Sequence, residues 1–328
     1  MCLSASDCAT EILSPHAEFP NRVLIEISRG CPYKCQFCYI GHRTRPYRNR
    51  PLEQIWRTVE RWRPHTDLFG FVSSAVASHH QIDELCRRCL DAGLKISFSS
   101  LRAEDLTPQM VETLVASDQR TVTLAPETAS PRLRHLIHKM IDDETLETVV
   151  AACAERGVEN LKLYHIIGLP GETDDDALMI PEQARRLRAL MTKIQRPRGR
   201  LGEISLNIGL FVPKAGTPLA GHPLWDPQVI RRRRDLVLRA ARTIPNARVA
   251  VAGVEETQLQ CLVSMGGIEM AEVLEALARD ERAWKRHMRD AFPAWRDRFN
   301  AERGAPPREY RFPGAGRRQR IRLAEAAR

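Results

Sequence analysis

The sequence predicts an α/β protein in which crossover helices join the strands of a parallel sheet. Six apolar or alternating runs of strand length follow one another along the chain, and a weaker seventh follows them. Segments whose apolar residues recur at helical spacing fill the gaps between these runs. A strand-helix order repeated about six times is typical of parallel sheets. This pattern leaves two designs open, a closed or half-closed TIM-like barrel and an open, doubly wound sheet.

The predicted strands are short and are spread over most of the chain. They are "RVLIEI" (22–27), "LFGFV" (68–72), "LKISF" (94–98), "RTVTLA" (120–125), "NLKLYHII" (160–167), "EISLNIGLF" (203–211) and, more weakly, "RVAVA" (248–252). In both designs the reactive residues collect at the carboxyl ends of the strands. The candidate site is therefore expected in the loops that follow these runs.

Helix signals stand between the predicted strands. After Pro51, apolar residues recur at helical spacing at Leu52, Ile55, Trp56, Val59 and Trp62. Ser130 is predicted to cap a helix that begins at Pro131 and carries on one face Leu133, Leu136, Ile137 and Met140. Asp226 followed by Pro227 predicts the start of another helix in the same way.

The strand pattern ends near residue 255, and the remainder is predicted to be helical. We expect helices over Leu259–Leu277 and Arg282–Asn300, followed by a mobile tail that is poor in apolar residues. The expected organisation is a leader over residues 1–20, a barrel over 21–255, a helical extension over 256–303 and a basic tail over 304–328.

Composition narrows the class of protein and its location. The 328 residues are 43% hydrophobic, and no run approaches the ~18 apolar residues of a membrane span. The N-terminus has acidic residues and no apolar stretch, so we expect a cytoplasmic protein without a membrane partner. The net charge of +9 admits an anionic partner such as nucleic acid. However, the arginines are spread along the chain, which favours an arginine-rich composition as the explanation. The run Arg231–Arg234 lies in a predicted helix, faces all directions and forms no one-sided surface.

The nine cysteines fall into groups with different expected roles. An odd number in a cytosolic chain argues against disulfides. Cys86 and Cys89 share the apolar face of a predicted helix, and Cys153 has the same spacing, so these three are predicted to lie in the core. Cys2 and Cys8 are predicted to lie in a loose N-terminus. Cys261 is predicted either to pack or to be a free thiol near the site.

Cys31, Cys35 and Cys38 lie together in "SRGCPYKCQFCYIG", directly after the first predicted strand. The spacing C-x₃-C-x₂-C brings three thiolates around one centre. Zinc sites have four protein ligands, or three and a water, and His42 is the nearest further candidate. Three thiolates also suit a [4Fe–4S] cluster that leaves one iron open to a small molecule.

This motif, with the aromatic Phe37 before its last cysteine, resembles the signature of the radical S-adenosylmethionine (radical SAM) superfamily. The resemblance implies a partial TIM-like (β/α)₆ barrel with a small C-terminal helical extension. It implies that Cys31, Cys35 and Cys38 hold a [4Fe–4S] cluster and that S-adenosylmethionine chelates the open iron. An electron from the cluster would then cleave the sulfonium and generate a 5′-deoxyadenosyl radical.

Four later stretches resemble segments of methylthiotransferases and of cobalamin-dependent members of the superfamily. They are "APETASPRLRHLIHK" (125–139), "YHIIGLPGET" (164–173), "FVPKAGTPLA" (211–220) and "TQLQCLVSMGGIEMAEVLEAL" (257–277). Two features depart from these relatives. The second strand ends in "FVSSAVAS" instead of a Gly-Gly-Glu-like turn, and only about 20 residues precede the first strand. We therefore expect the isolated chain not to bind cobalamin. Either the protein works without cobalamin and uses the adenosyl radical directly, or another subunit supplies it. Without a second cysteine cluster, sulfur insertion is not expected.

The resemblance also implies cofactor contacts for individual residues. Phe37 would stack near the adenine, with loop packing as the alternative. Glu127 and Ser130 match fourth-strand positions that face the cofactor. Lys139 matches a basic position that binds the methionine carboxylate, and the alternative is a solvated charge after a helix.

Further candidates lie at the ends of other strands. Ser99 and Tyr164 end the third and fifth strands, where each would either meet ribose hydroxyls or pack. Arg102, shortly after the third predicted strand, would bind a carboxylate through two hydrogen bonds. The backbone carbonyls of Ser73 and Ser74 are expected to contact S-adenosylmethionine. Gly168 and Gly171 are expected to give their loop the clearance to approach the adenine.

The leading interpretation is a radical SAM enzyme that acts on a small or medium metabolite by methylation, cyclisation or another carbon-centred rearrangement. Its expected partners are a small-molecule substrate and an electron donor such as flavodoxin or ferredoxin. One alternative is a radical SAM enzyme that modifies tRNA or another nucleic acid, and salt-dependent RNA binding would favour it. The other is a non-enzymatic, cluster-bearing electron-transfer or regulatory protein.

Overall fold

The computed structural model describes residue 3 and residues 6–99, 101–268, 270–280 and 284–302. The strands in this part are β1 (Val23–Glu26), β2 (Ser28–Arg29), β3 (Arg48–Asn49), β4 (Leu68–Val72), β5 (Lys95–Phe98), β6 (Thr121–Glu127), β7 (Asn160–Ile167), β8 (Ile204–Leu210) and β9 (Ala247–Val251). The helices are α1 (Tyr39–Arg43), α2 (Leu52–Trp62), α3 (Ile82–Asp91), α4 (Pro108–Ala116), α5 (Pro131–Leu136), α6 (Asp143–Glu155), α7 (Asp174–Gln195), α8 (Pro227–Ala241), α9 (Val254–Met265), α10 (Met270–Arg279) and α11 (Trp284–Glu302).

Seven of these strands are parallel and follow one another in chain order. One sheet has the order β1-β4-β5 and the other the order β6-β7-β8-β9. A parallel bridge between Leu101 and Leu124 joins them, where the Leu101 N–H donates to the Thr123 carbonyl at 2.9 Å. Parallel strands connected by helices in this order form a partial TIM-like barrel. The seven predicted strands are confirmed, with ends that differ by one or two residues.

Burial alternates along the strands and separates two faces. On β7, Leu161, Leu163 and Ile167 are buried in the main core together with residues of the surrounding helices. Lys162 and Tyr164 alternate with them and lie on the opposite face, which lines the interior of the partial barrel. The helices therefore cover the apolar face of the sheet, and Lys162 and Tyr164 of β7 face the interior.

The C-terminal helices differ from the sequence prediction. The predicted helix Leu259–Leu277 is two helices, because α9 ends at Met265 and Gly266 follows it in an extended conformation. The α9–α11 region has its own apolar cluster, which includes Leu262, Phe292 and Trp295. Residues 281–283, including the predicted helix start at Arg282, and the predicted tail over 304–328 lie outside the described residues. The division of the chain into four segments stays a prediction.

Two further local predictions are wrong. Helix α5 ends at Leu136, so Met140 does not share its apolar face and is 68% exposed. The N-terminus is not loose at residues 8–10, because Ala9 forms an antiparallel bridge with Ile25 of β1. Cys2 lies outside the described residues. The predicted caps at Ser130 and Asp226 are both confirmed by side-chain hydrogen bonds to the first turns of their helices.

The predicted core cysteines are buried. Cys86 and Cys89 lie in the main core with Cys153, and burial raises the pKa of Cys86 and of Cys153 to about 12. Cys261 packs in the C-terminal apolar cluster, and burial raises its pKa to about 12 as well. Of its two predicted roles, the structure shows packing. These thiols are therefore protonated at neutral pH.

None of the helices that the structure describes combines the length and the apolar character that crossing a bilayer requires.

Candidate functional site

The three clustered cysteines lie in a loop that leaves the end of β1 and returns to it. We call residues 30–47 the cysteine loop. The pairing of β2 with β3, Ser28 with Asn49 and Arg29 with Arg48, closes its base. Gly30 has φ +86°, and a Cβ at this position would overlap the Thr44 carbonyl oxygen. Only glycine therefore fits where the loop begins. The sequence did not predict this pairing, because two-residue strands carry no periodic pattern.

The loop brings its three thiols into one partly buried region. Cys35 is 8% exposed, and Cys31 and Cys38 are half-buried. Burial raises the pKa of Cys31, and the neighbouring Cys35 and Cys38 thiols add to this rise. The Cys38 N–H donates to the Cys35 carbonyl at 3.0 Å, and the same carbonyl lies 3.1 Å from His42 Nε2. His42 therefore supports the loop backbone. In the described part of the chain, no three His, Cys, Asp or Glu side chains are arranged to hold a single metal ion.

Arg102 lies between the cysteine loop and the segment that follows β5. Its Nη1 is 3.6 Å from Cys35 Sγ, and its Cζ lies 3.7 Å from the centroid of the Tyr33 ring. Its Nη2 donates to Glu104 Oε1 at 2.5 Å. The predicted two-point contact with a cofactor carboxylate would require these bonds to rearrange. In this structure Arg102 places a positive charge beside a buried thiol.

Lys139 and Glu127 form a second charged pair near the loop. Lys139 is only 4% exposed, and its Nζ lies 3.7 Å from Glu127 Oε1. The alternative of a solvated lysine is therefore wrong. Glu127 ends β6 with φ +67°, a conformation that is uncommon for residues other than glycine. Burial raises the pKa of Glu127, against the opposing effects of the Lys139 and Arg102 charges. The Lys139 charge also opposes the rise in the pKa of Cys35 that burial causes.

The cysteine loop is held against the end of α5 and the loop that follows β8. The Gln36 N–H donates to the Ile137 carbonyl at 3.0 Å, and the Gln36 carbonyl accepts from the Leu219 N–H at 3.3 Å. Phe37 packs on the apolar cluster that contains the side chains of Ile137 and Leu219. The structure thus gives Phe37 a packing role, and its contact with adenine stays a prediction.

The serines at the ends of β4 and β5 contact one another. Ser73 Oγ is 2.5 Å from Ser28 Oγ, and the Ala75 N–H donates to Ser73 Oγ at 3.1 Å. The exposed Ser99 donates through Oγ to the Ser73 carbonyl at 3.5 Å. Ser74 is exposed. The backbone of this turn therefore lies beside the base of the cysteine loop, next to Ser28.

Ser130 has a structural role that the cofactor prediction did not include. It is 2% exposed, caps α5 and donates through Oγ to Asp176 Oδ1 at 2.6 Å. Asp176 also accepts from the backbone N–H of Thr173 at 2.8 Å in the capping box of α7. The spacing Thr173-x-x-Asp176 was the signal for this box in the sequence.

Gly168 opens the loop after β7 with φ +84°. A Cβ there would lie 2.9 Å from Ile230 and 3.0 Å from Trp225, so its clearance serves close packing against α8 and the segment before it. Gly171 also has a positive φ, and its carbonyl accepts a hydrogen bond from Arg132. Close packing accounts for Gly168 and the positive φ accounts for Gly171. The approach of this loop to adenine stays a prediction.

Sequence reasoning missed a buried ion pair behind this loop. Glu172 Oε2 accepts from the Gly168 N–H at 2.6 Å and from Arg233 Nη1 at 2.7 Å. Burial outweighs these two bonds and raises the pKa of Glu172 to about 7. Arg233 belongs to the run Arg231–Arg234, and each arginine of that run has a carboxylate partner. The sequence alone could not predict this pair, because its two residues are 61 positions apart in the chain.

Tyr164 is 37% exposed on the interior face of β7, and Lys162 Nζ lies 5.2 Å from the centroid of its ring. Asn207 of β8 is paired in register with Tyr164 and lies on the same face of the sheet. The interior surface below the site therefore offers an ammonium, a phenol and an amide.

The sequence model of the Radical SAM superfamily matches residues 25–183, which include the cysteine loop and β1 to β7. A radical SAM domain therefore extends over residues 25–183 of the chain. Radical SAM enzymes use a [4Fe–4S] cluster and S-adenosylmethionine, and they need a reductant and a substrate. The expectation drawn from C-x₃-C-x₂-C is confirmed at the level of the superfamily.

Individual proteins also match the chain at low sequence identity. The chain is 25% identical over 264 residues to an uncharacterized protein of Methanocaldococcus jannaschii, covering 80% of this chain and 56% of the relative. It is 26% identical over 238 residues to the ribosomal protein uS12 methylthiotransferase RimO of an Anaeromyxobacter species, covering 67% of this chain and 47% of RimO. The chain thus spans about half the length of these curated relatives. Streptococcus suis SuiB bound to its precursor peptide SuiA has a similar fold, with a TM-score of 0.50 and 15% identity over 75% of this chain and 52% of SuiB.

The donor set of the cysteine loop fits the cluster of a radical SAM protein. Three thiols come from one short segment, as thiolate ligands of such clusters do. Two cations, Arg102 and Lys139, oppose the negative charge that deprotonated thiols would bring into a partly buried region.

Proposed function

We propose that Cys31, Cys35 and Cys38 hold the [4Fe–4S] cluster and that the chain reductively cleaves S-adenosylmethionine there. When bound, the two cofactors supply an electron and the 5′-deoxyadenosyl radical that attacks a C–H bond of the substrate. The observation that carries the proposal is the cysteine loop itself, closed at the carboxyl end of β1 with Arg102 at 3.6 Å from Cys35 Sγ.

The buried pair Glu127 and Lys139 suits the amino-acid end of S-adenosylmethionine. That end carries an ammonium and a carboxylate, and the pair carries the opposite charges 3.7 Å apart. Lys139 would bind the carboxylate and Glu127 the ammonium, exchanging one ion pair for two. This role for Glu127 compensates for the carboxylate that the turn at Ser73 and Ser74 lacks. The remaining contacts are proposed for Phe37, Ser99, Arg102, Ser130, Tyr164 and Gly168.

The interior face supports a polar substrate. Lys162, Tyr164 and Asn207 line it, and such groups orient a ligand by hydrogen bonds and charge. We propose a small or medium polar metabolite, with an electron donor of the flavodoxin or ferredoxin type. A macromolecular substrate is the second candidate, because relatives named as ribosomal protein methylthiotransferases match half or more of the chain.

Anaerobic reconstitution, dithionite reduction and chromatography test the proposal. We expect slow release of 5′-deoxyadenosine from S-adenosylmethionine without any added substrate. The C31A/C35A/C38A variant should fall to the background of the assay. The C8A variant, which removes an exposed thiol outside the loop, should retain the full rate.

Equal 5′-deoxyadenosine release by the triple variant would overturn the proposed ligands. Binding of S-adenosylmethionine to an intact, reducible cluster without cleavage would instead support the non-enzymatic interpretation.

A further inference from the structure

A cavity of about 710 Å³ opens at the end of the barrel opposite the cysteine loop. Its lining comes from the second half of α7, the turn after it and the segment before β9, and includes Arg185, Arg188, Lys193, Arg196, Ile244 and Pro245. Helix α7 starts after the carboxyl end of β7 and ends before the amino end of β8. The cavity therefore lies at the amino ends of the strands, whereas the cysteine loop follows a carboxyl end.

Four cations line this cavity without a carboxylate partner among the described residues. Arg185 Nη2 donates to the Ala240 carbonyl at 3.1 Å and to Thr243 Oγ1 at 3.2 Å, which are neutral groups. Lys193 and Arg196 are exposed and take part in no ion pair within the described ranges. Nearby arginines outside the cavity behave differently, since Arg186 pairs with Asp143 and Glu147, and Arg200 pairs with Glu159.

The fourth cation, Arg188, is buried. It is 4% exposed, its Nη1 donates to the Gly202 carbonyl at 2.6 Å, and its buried Nε has no hydrogen-bond partner in the part of the chain described. Burial lowers the pKa of its guanidinium. A buried charge without a counter-ion is costly, so protein structures pair such groups. An anion in the cavity would supply the missing partner.

We propose that this cavity binds phosphate groups of an RNA backbone. Guanidinium groups match the geometry of phosphate oxygens through paired hydrogen bonds, and three of the four cations are arginines. The cations are spread from Arg185 to Arg196, about 16 Å along α7, which favours a chain of phosphates over a single small ion. The proposal goes beyond S-adenosylmethionine cleavage, and because the cavity lies at the other end of the barrel, either one can fail without the other.

Fluorescence anisotropy with a labelled single-stranded RNA of 16 nucleotides, titrated at several salt concentrations, tests the proposal. The test variant is K193A/R196A, which removes two exposed cations of the cavity. The matched control is R57A/R61A, which removes two exposed cations of α2. Single-stranded RNA loses about 0.7 in the slope of log K against log salt for each phosphate contact removed. We expect the slope to fall by about 1.4 in the test variant and by much less in the control.

Equal effects of the two double variants would overturn the assignment of the cavity, and so would the absence of RNA binding by the native chain. A titration with inorganic phosphate distinguishes free phosphate from the RNA backbone as the ligand of the cavity. If phosphate raises the Tm of the native chain but not of the R188M variant, and RNA does not bind, the site holds free phosphate and the RNA assignment is wrong. S-adenosylmethionine cleavage should be unchanged in K193A/R196A, because neither substitution changes a residue of the proposed catalytic site.

Discussion

At the scale of single residues, Arg102 connects the cysteine loop to the rest of the site. It contacts Cys35 Sγ, the Tyr33 ring and Glu104 at once. A positive charge beside a cluster ligand stabilises the form of the cluster that carries one more electron. We therefore expect Arg102 to raise the reduction potential of the proposed cluster.

The R102Q variant should show a more negative cluster potential, on the order of 60 mV, which corresponds to about 1.4 kcal/mol for one electron. The R102K variant keeps the charge and should stay closer to the native value. An anaerobic redox titration followed by electron paramagnetic resonance measures both. A potential that is the same in R102Q and the native chain would contradict the assigned role.

The sequence predicted which residues belong to the site better than what each one touches. Cys31, Cys35 and Cys38 were found because they are close together in the chain. The contact of Arg102 with Cys35 was missed because 67 residues separate them. The burial of Lys139 was undecided, because a lysine after a helix is usually solvated and only tertiary packing covers this one.

At the scale of elements, Asp176 ties two helices together near the site. It accepts from Ser130, which caps α5, and completes the capping box of α7 with Thr173. Burial tends to raise its pKa, but hydrogen bonds from Ser130, Thr173 and Arg132 outweigh burial and lower the pKa to about 2. A carboxyl whose pKa falls on folding stabilises the native state above its ordinary pKa.

The D176N variant should lose ~2 kcal/mol of unfolding free energy at pH 7. The difference in unfolding free energy between D176N and the native chain should narrow as the pH falls from about 4 toward 2. The reason is that the Asp176 carboxyl of the native chain then becomes protonated. Urea unfolding at a series of pH values measures it. The control is D175N, which changes an exposed acid in the same first turn. A deficit of D176N that is independent of pH would show that the charge does not contribute.

Long, periodic elements were predictable, and short or interrupted ones were not. The seven parallel strands follow from apolar runs that face covering helices. The β2–β3 pair escaped prediction because two residues show no alternation. The prediction of one helix over Leu259–Leu277 was wrong. The helical spacing of apolar residues continues across Gly266, but the helix itself ends before that residue. Helix α5 stops at Leu136, which leaves Met140 exposed.

At the scale of the whole molecule, the parallel strands divide the barrel into two ends. The cysteine loop, Arg102 and the Glu127–Lys139 pair gather at the carboxyl ends of the strands. The basic cavity around Arg188 lies at the amino ends. Between the two ends, Lys162, Tyr164 and Asn207 line the interior face. The fold class was predictable from the strand-helix order, whereas the cavity was not, because its cations come from separate segments.

The central claim is that the cysteine loop holds a [4Fe–4S] cluster, and iron content combined with electron paramagnetic resonance tests it most directly. After anaerobic reconstitution we predict about four iron atoms per chain and, on reduction, the signal of a reduced cluster. The C31A/C35A/C38A variant should lose both, and C89A/C153A, which removes two buried thiols of the core, should keep both. Circular dichroism establishes that each variant is folded. Full iron content and signal in the folded C31A/C35A/C38A variant would contradict the account.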